Sequence, residues 1–191
     1  MPRPLIAGLS QEDAKRLRVL VVDDNEFMRR LLLEFLRVLR VGTIRGAGDG
    51  AEALTLMRSL RPDLVLVDLR MDQVDGIDFV RRVRAGDSGT NPYVPIIMIT
   101  GHADVPRVHD ARDAGVNELL VKPVSFTTVA QRTGAVLTEP RPFIRAAGYL
   151  GPDRRRRSTL VDIDRRKAAH GLITPGEILT WKRCLELSEA V

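Results

Sequence analysis

The chain has very little cysteine and histidine and no long apolar run, and each shortage excludes a class of protein. A single cysteine, Cys184, excludes an internal disulfide framework and a multi-cysteine metal site. The three histidines, His102, His109 and His170, show no metal-ligand spacing. No apolar run approaches the roughly 20 residues that cross a bilayer, and the first residues lack the apolar segment of a signal peptide. We therefore expect a cytoplasmic protein that makes no membrane contact.

The positive charge is concentrated towards the C-terminal end. The net charge is +5, and residues 134–191 hold eleven Lys or Arg against seven Asp or Glu, which accounts for four of the five charges. The remainder is close to neutral, so an argument for nucleic-acid binding has to rest on the tail. A length of 191 residues suffices for one well-buried domain and an appendage.

Short apolar runs alternate with helical patterns five times along the chain. The run from Leu64 to Val67 is uninterrupted, too short for a helix and followed by Asp68, as in a strand buried on both faces. Such alternation predicts a doubly wound parallel α/β sheet. We predict a lead-in over residues 1–16, with Ser10 capping a short helix, the α/β domain over 17–138 and an extension over 139–191. The predicted strands cover residues 17–22, 43–47, 64–68, 94–100 and 116–121, and the helices 25–40, 51–60, 76–85, 104–114 and 125–137.

Polar residues follow four of these strands at the edge of the sheet where ligands bind in open α/β folds. Asp23 and Asp24 follow the first strand, Asp68 the third, Thr100 ends the fourth and Lys122 follows the fifth. Carboxylates brought within 4 Å repel by roughly 4 kcal/mol per pair at an effective dielectric of 20, so the cluster needs a cation. Oxygen ligands without His or Cys favour Mg²⁺, and the lysine and threonine suit phosphoryl oxygens.

These motifs resemble the receiver domain of two-component response regulators, the chemotaxis-regulator type. The resemblance covers residues 17–137 and implies a five-stranded flavodoxin-like sheet with strand order 2-1-3-4-5. The matching stretches are residues 19–24, 64–76, 97–101 and 121–123.

The resemblance also implies a role for each residue of the site. Asp68 is expected to be phosphorylated by a sensor histidine kinase or a phosphotransfer protein, as a nucleophilic carboxylate. Asp23, Asp24, Asp68 and the backbone carbonyl of Arg70 are the expected Mg²⁺ ligands. Thr100 and Lys122 are expected to close on the phosphoryl group.

A switch is implied as well, and here the sequence departs from the family pattern. Thr100, Leu119 and Pro123, the last after an expected cis bond, are the switch residues, acting on the surface of the domain's fourth helix, fifth strand and fifth helix (residues 104–137). Leu119 stands where the family usually has an aromatic residue, and Asp72 stands where it usually has proline. His102 occupies a position that affects access of water to the phosphoryl group.

The extension is predicted to be mostly helical. Residues 139–144 are predicted to leave the last helix of the domain in an extended conformation. Gly151 and Pro152 are predicted to form a turn before the basic run 154–157. Helices are predicted over 160–169 and over 174–190, the second with Thr174 as its N-cap. Three apolar residues of that helix, Ile178, Trp181 and Leu185, lie on one stripe, which could pack on the receiver, a second subunit or a partner.

We predict a single-receiver response regulator that is not an enzyme and signals through a downstream protein partner, with homodimerisation possible. One alternative is a transcriptional regulator whose basic tail binds DNA; no recognisable DNA-binding motif favours it. A second is a phosphate shuttle in a phosphorelay. A third is a receiver that no longer takes phosphate.

Overall fold

The computed structural model describes residues 6–72, 74–87, 89, 91–101, 104–146, 148–153 and 171–173. The predicted helices over 160–169 and 174–190, the basic run 154–157 and His102 lie outside these residues. Within the described part of the chain, no helix is long and apolar enough to cross a membrane.

The helices are α1 Gln11–Arg16, α2 Glu26–Val38, α3 Gly50–Leu60, α4 Gly76–Ala85, α5 Val105–Ala114 and α6 Phe126–Thr138. The strands are β1 Arg18–Val22, β2 Thr43–Ala47, β3 Leu64–Asp68, β4 Ile96–Thr100, β5 Glu118–Val121, β6 Phe143–Ala146, β7 Tyr149–Pro152 and β8 Leu172–Ile173.

The five-stranded parallel sheet has the order β2-β1-β3-β4-β5, which confirms the expected topology. Its register pairs Val22 with Val67, Asp68 with Ile99, and Thr100 with Val121. The strands therefore end close to one level, and the residues that follow them meet at the carboxyl edge of the sheet.

The core consists of two layers, one on each face of this sheet. Because side chains alternate along a strand, Leu20 and Val22 of β1 pack in one layer, and Val19 and Val21 pack in the other. Helices α3, α4 and α5 cover the first face, and α1, α2 and α6 cover the second. Burial on both faces explains why β3 and β4 read as continuous apolar runs.

Side-chain and glycine caps delimit the helices. Ser10 accepts a hydrogen bond from the backbone N–H group three residues on, as predicted, and Ser125 does the same at the start of α6. Gly86 and Gly115 end α4 and α5 with φ of 83° and 101°, a region that glycine enters without the steric cost of a Cβ.

The extension contains a β-hairpin that the sequence analysis did not predict. Strands β6 and β7 pair antiparallel, and β8 adds to the other side of β6 in a separate three-stranded sheet. The turn predicted at Gly151 and Pro152 is wrong, because both residues belong to β7. Pro152 is tolerated there because β7 is an edge strand and the residue stands at its end. The domain bounds 17–138 and 139–191 stay predictions.

The hairpin is anchored on the amino edge of the five-stranded sheet by a buried arginine. The guanidinium of Arg84 in α4 donates to the carbonyls of Gly115, Pro92 and Val94 and to Oδ1 of Asn117, at 2.6–3.1 Å. These acceptors are neutral, and burial lowers the pKa of Arg84 to about 9. Phe143 of β6 covers the guanidinium, with 5.1 Å between the ring centroid and the central carbon, an arrangement that favours a cation.

The two glycine caps provide a matched test of this packing. A Cβ at Gly115 would lie 2.7 Å from the carbonyl oxygen of Leu150 in β7, whereas a Cβ at Gly86 meets no atom within 4 Å. Both alanine substitutions strain the backbone by about 1 kcal/mol, and the clash adds about 1–3 kcal/mol at Gly115. We expect Gly115→Ala to lower the free energy of unfolding in urea by that additional amount relative to Gly86→Ala. Equal losses would mean that β7 does not pack on the end of α5 in solution.

Candidate functional site

Asp23 is held rigidly at the end of β1. Its side chain is fully buried (0 % exposed), and Oδ1 accepts a hydrogen bond of 2.9 Å from the backbone N–H of Asn25. Arg29 of α2 donates from Nη1 to the backbone oxygen of Asp23 at 2.6 Å. The neighbouring Asp24 is exposed. The pair therefore consists of one fixed carboxylate and one that faces solvent.

Asp68 lies across from this pair at the end of β3, and Lys122 joins the two strands. Asp68 is only 7 % exposed. Nζ of Lys122, which follows β5, lies 2.9 Å from Oδ1 of Asp68 and 3.2 Å from Oδ2 of Asp23. The structure thus brings together residues that are far apart in the sequence and that the sequence analysis placed in one site.

The acidic cluster fits a metal ion. Among the described residues, Asp23, Asp24 and Asp68 each offer a carboxylate oxygen, and these three atoms lie within 4.8 Å of one another. One lysine opposes three carboxylates, so the cluster retains an excess of negative charge. Such an oxygen-only donor set, partly open to solvent, is of the kind that binds a hard divalent cation with some of its waters.

Burial and charge shift the ionisation of both buried partners. Burial, the largest cause, raises the pKa of Asp23, and the charge of Asp68 raises it further against the opposing effect of Lys122. Burial by itself would lower the pKa of Lys122, but the hydrogen bond to Asp68 and the charges of both aspartates outweigh it, so the pKa lies above its ordinary value. Lys122 therefore stays protonated throughout the neutral range.

The other predicted site residues lie on β4, on β5 and in the loops after the strands, and they differ in burial. Thr100 ends β4 and is 1 % exposed, and its backbone oxygen accepts a hydrogen bond of 2.7 Å from the N–H of Lys122. Leu119 is half-buried in β5 and packs against the core. The Lys122–Pro123 bond is cis, as expected. Arg70 is exposed and lies with Asp24 on a cleft of about 250 Å³.

Gly76 contributes to the site without having been assigned a role from the sequence. It begins α4, its N–H donates to the carbonyl of Leu69 at 3.0 Å, and a Cβ on it would lie 2.1 Å from the backbone oxygen of Asp68. Only a residue without a Cβ lets α4 start this close to the end of β3. Gly76 stands eight residues after Asp68, within the stretch 64–76 that resembles the family, and this position could have identified it as a site residue. The contact of Arg29 with Asp23 could not be predicted, because Arg30 and Arg37 stand in the same helix and the sequence does not distinguish the three arginines.

The comparisons with known proteins agree with this geometry. The profile of the response regulator receiver domain matches residues 19–133, and the chain belongs to this family of two-component systems. The chain is 40 % identical over 125 residues to the DNA-binding response regulator MtrA of Mycobacterium tuberculosis, a match covering 65 % of this chain and 52 % of MtrA. It is 33 % identical over 118 residues to the chemotaxis protein CheY-3 of Vibrio cholerae, covering 62 % and 89 % of the two chains.

A solved structure supports the same fold. The chemotaxis response regulator CheY4 of Vibrio cholerae superposes with a TM-score of 0.59 at 28 % identity, covering 63 % of this chain and 98 % of that chain. The chain spans about half the length of MtrA, so the similarity concerns the receiver part of that relative.

The charges of the cluster predict opposite effects of two substitutions on magnesium affinity. Asp24→Asn removes an exposed negative charge and should weaken Mg²⁺ binding by about tenfold or more, whereas Lys122→Gln removes the opposing positive charge and should tighten it. Isothermal titration calorimetry measures both. Asp110→Asn, an exposed aspartate of α5 outside the cluster, is the control and should bind as the wild type does. Equal affinity in wild type and Asp24→Asn would contradict a metal site at this cluster.

Proposed function

We propose that Asp68 accepts a phosphoryl group from the phosphohistidine of a sensor kinase or phosphotransfer protein, and that the chain is a signalling switch, not an enzyme acting on an external substrate. The observation that carries the proposal is the ion pair of 2.9 Å between Lys122 and Asp68 inside the three-aspartate cluster. A lysine fixed against the acceptor carboxylate is placed to offset negative charge brought in by the phosphoryl group.

In this proposal the carboxylate of Asp68 attacks the phosphorus atom. A new O–P bond forms, the N–P bond of the donor breaks, and the electron pair stays on the imidazole nitrogen, which takes up a proton. Lys122 offsets the charge of the phosphoryl oxygens, and the hydroxyl of Thr100 donates a hydrogen bond to one of them. Magnesium, bound by the aspartate cluster with the carbonyl of Arg70, would neutralise further negative charge during the transfer.

The sequence analysis counted the helices of the domain from residue 25, and α1 lies before that point. The fourth helix, fifth strand and fifth helix of the domain are therefore α5, β5 and α6, and this is the surface predicted to carry the output. We propose that phosphorylation shifts an existing equilibrium between two arrangements of this surface, through Thr100, Leu119 and Pro123. Two large apolar side chains on it support a protein partner or a second copy as the reader: Val105 at the start of α5 is 70 % exposed and Val121 of β5 is 49 % exposed. Exposed apolar groups at one surface are typical of interaction sites.

The acceptor residue can be tested directly with acetyl phosphate and Mg²⁺. Mass spectrometry should detect one added phosphoryl group on the wild type and none on Asp68→Asn. Asp110→Asn is the matched control, because Asp110 is an exposed aspartate of α5 outside the cluster, and it should be labelled normally. A phosphoryl group on Asp68→Asn would overturn the proposal. A wild type that neither gains the phosphoryl group nor responds to beryllofluoride would also overturn it, and would favour the receiver that no longer takes phosphate.

DNA binding through the tail is the second candidate, because MtrA is named as a DNA-binding regulator and the basic run 154–157 lies in the extension. We expect no salt-dependent retention on duplex DNA, since the two basic runs of the tail, 154–157 and 165–167, stand in no recognisable DNA-binding motif. Retention at low salt that disappears when residues 154–157 are changed to serine would favour the DNA-binding alternative. Transfer of radiolabel from the phosphorylated chain to a phosphotransfer protein would instead favour the phosphate shuttle.

A further inference from the structure

A cavity of about 270 Å³ lies at the amino edge of the five-stranded sheet, opposite the aspartate cluster. Leu17, Pro62 and Tyr93 stand just before β1, β3 and β4, respectively, which places its floor at that edge. The last turn of α6 and the start of the hairpin form its sides. The apolar residues that line it include Leu17, Pro62, Tyr93, Val136, Leu137 and Phe143.

The size and chemistry of this cavity favour a protein side chain as the occupant. Clefts that hold drug-sized ligands measure roughly 300–1,000 Å³, so this one is small for such a ligand. Its walls are largely apolar, and apolar cavities do not hold water well. An apolar side chain from a nearby segment would fill the cavity and shield its apolar walls from water.

The path of the chain leads towards this cavity. Strand β8 pairs antiparallel with β6, with Ile173 opposite Phe143 and Leu172 opposite Ile144. Because the two strands run in opposite directions, Ile173, the last described residue of β8, stands beside the first residue of β6. Two residues that precede Phe143, Pro140 and Arg141, also line the cavity. The described end of β8 therefore lies at the mouth of the cavity.

The segment that follows β8 in the sequence carries a suitable apolar stripe. Residues 174–191 lie outside the described part of the chain, and their sequence places Ile178, Trp181 and Leu185 three and then four residues apart, the spacing of one helix face. Trp181 follows Ile173 by eight residues, or about 12 Å in a helix at 1.5 Å per residue. This distance is enough to pass Pro140 and Arg141 and reach the cavity.

We propose that the C-terminal segment 174–191 docks in this cavity of its own chain and that Trp181 fills it. The segment is then held on the amino edge of the receiver, on the side of the sheet opposite Asp68, where it leaves the aspartate cluster open. It is also not displayed as a free helix for a partner. This proposal is independent of whether Asp68 is phosphorylated, because none of the residues that line the cavity belongs to the acidic site.

The natural Cys184, three residues after Trp181, allows a cross-linking test because it is the only cysteine in the sequence. Pro140→Cys places a second thiol at the cavity on an exposed residue. Val105→Cys is the control, on an exposed residue at the opposite edge of the sheet. Under mild oxidation of the full-length chain, we expect Pro140→Cys to form an intrachain disulfide at least about tenfold faster than Val105→Cys, because docking raises the effective thiol concentration. Equal rates, or bridges between chains only, would overturn the proposal.

Fluorescence of Trp181, the only tryptophan, gives a second measurement that needs no added cysteine. In the full-length chain we expect blue-shifted emission and quenching by iodide several-fold weaker than that of a free tryptophan. Leu137→Glu puts a charge into the wall and should restore solvent-like emission and quenching, whereas Val38→Glu, on an exposed residue of α2 outside the cavity, should not. Solvent-like emission in the wild type would overturn the proposal, and so would a blue shift that vanishes on dilution, which would indicate docking on a second copy.

Discussion

The ion pairs of Lys122 with Asp23 and Asp68 are the interaction on which the carboxyl edge of this domain depends. Two buried or nearly buried carboxylates and an exposed third converge at the ends of β1 and β3, and their mutual repulsion opposes folding. The lysine from β5 compensates part of that repulsion. A charge excess therefore remains at the site. Under the proposed function, the stability lost to this repulsion is the cost of a site that can bind a cation and receive an anionic group.

The three side chains converge because the sheet is parallel. No local sequence pattern around them brings them together. Asp23, Asp68 and Lys122 are separated by dozens of positions. Asp68 ends β3, and Asp23 and Lys122 directly follow β1 and β5, so parallel strands that end at one level bring them together. This is why the strands, the parallel sheet and the clustering of these side chains could be predicted from the residues, whereas the strand order 2-1-3-4-5 was implied by the resemblance to receiver domains. The strands β1, β3 and β4 were recognisable because each contains an apolar run buried on both faces of the sheet.

The parts that sequence reasoning missed depend on contacts between elements and leave little local pattern. The hairpin β6–β7 has strands of four residues, too short for a clear alternation, and Gly151 with Pro152 resembles a turn although both lie in an edge strand. Arg84 looks like any arginine of an amphipathic helix, and only the structure shows it buried among carbonyls beneath Phe143. Gly76 is similar, because its need for a missing Cβ comes from the approach of α4 to β3. Such requirements are tertiary, so local propensity does not reveal them.

Helix α5 connects the chemistry at one edge of the sheet to the extension at the other. It begins just after β4, which ends in Thr100 beside the aspartate cluster, and it ends at Gly115, against which the backbone of Leu150 packs. A ten-residue helix is about 15 Å long and moves as a rigid unit, so a displacement at its first turn has to be accommodated where it meets β7. Because closely packed interfaces change between discrete arrangements and resist gradual deformation, the hairpin is part of any two-state switch that involves α5. The extension is thus packed against the receiver, and we expect its anchoring by Arg84 and Phe143 to affect the balance between the two states of the proposed switch.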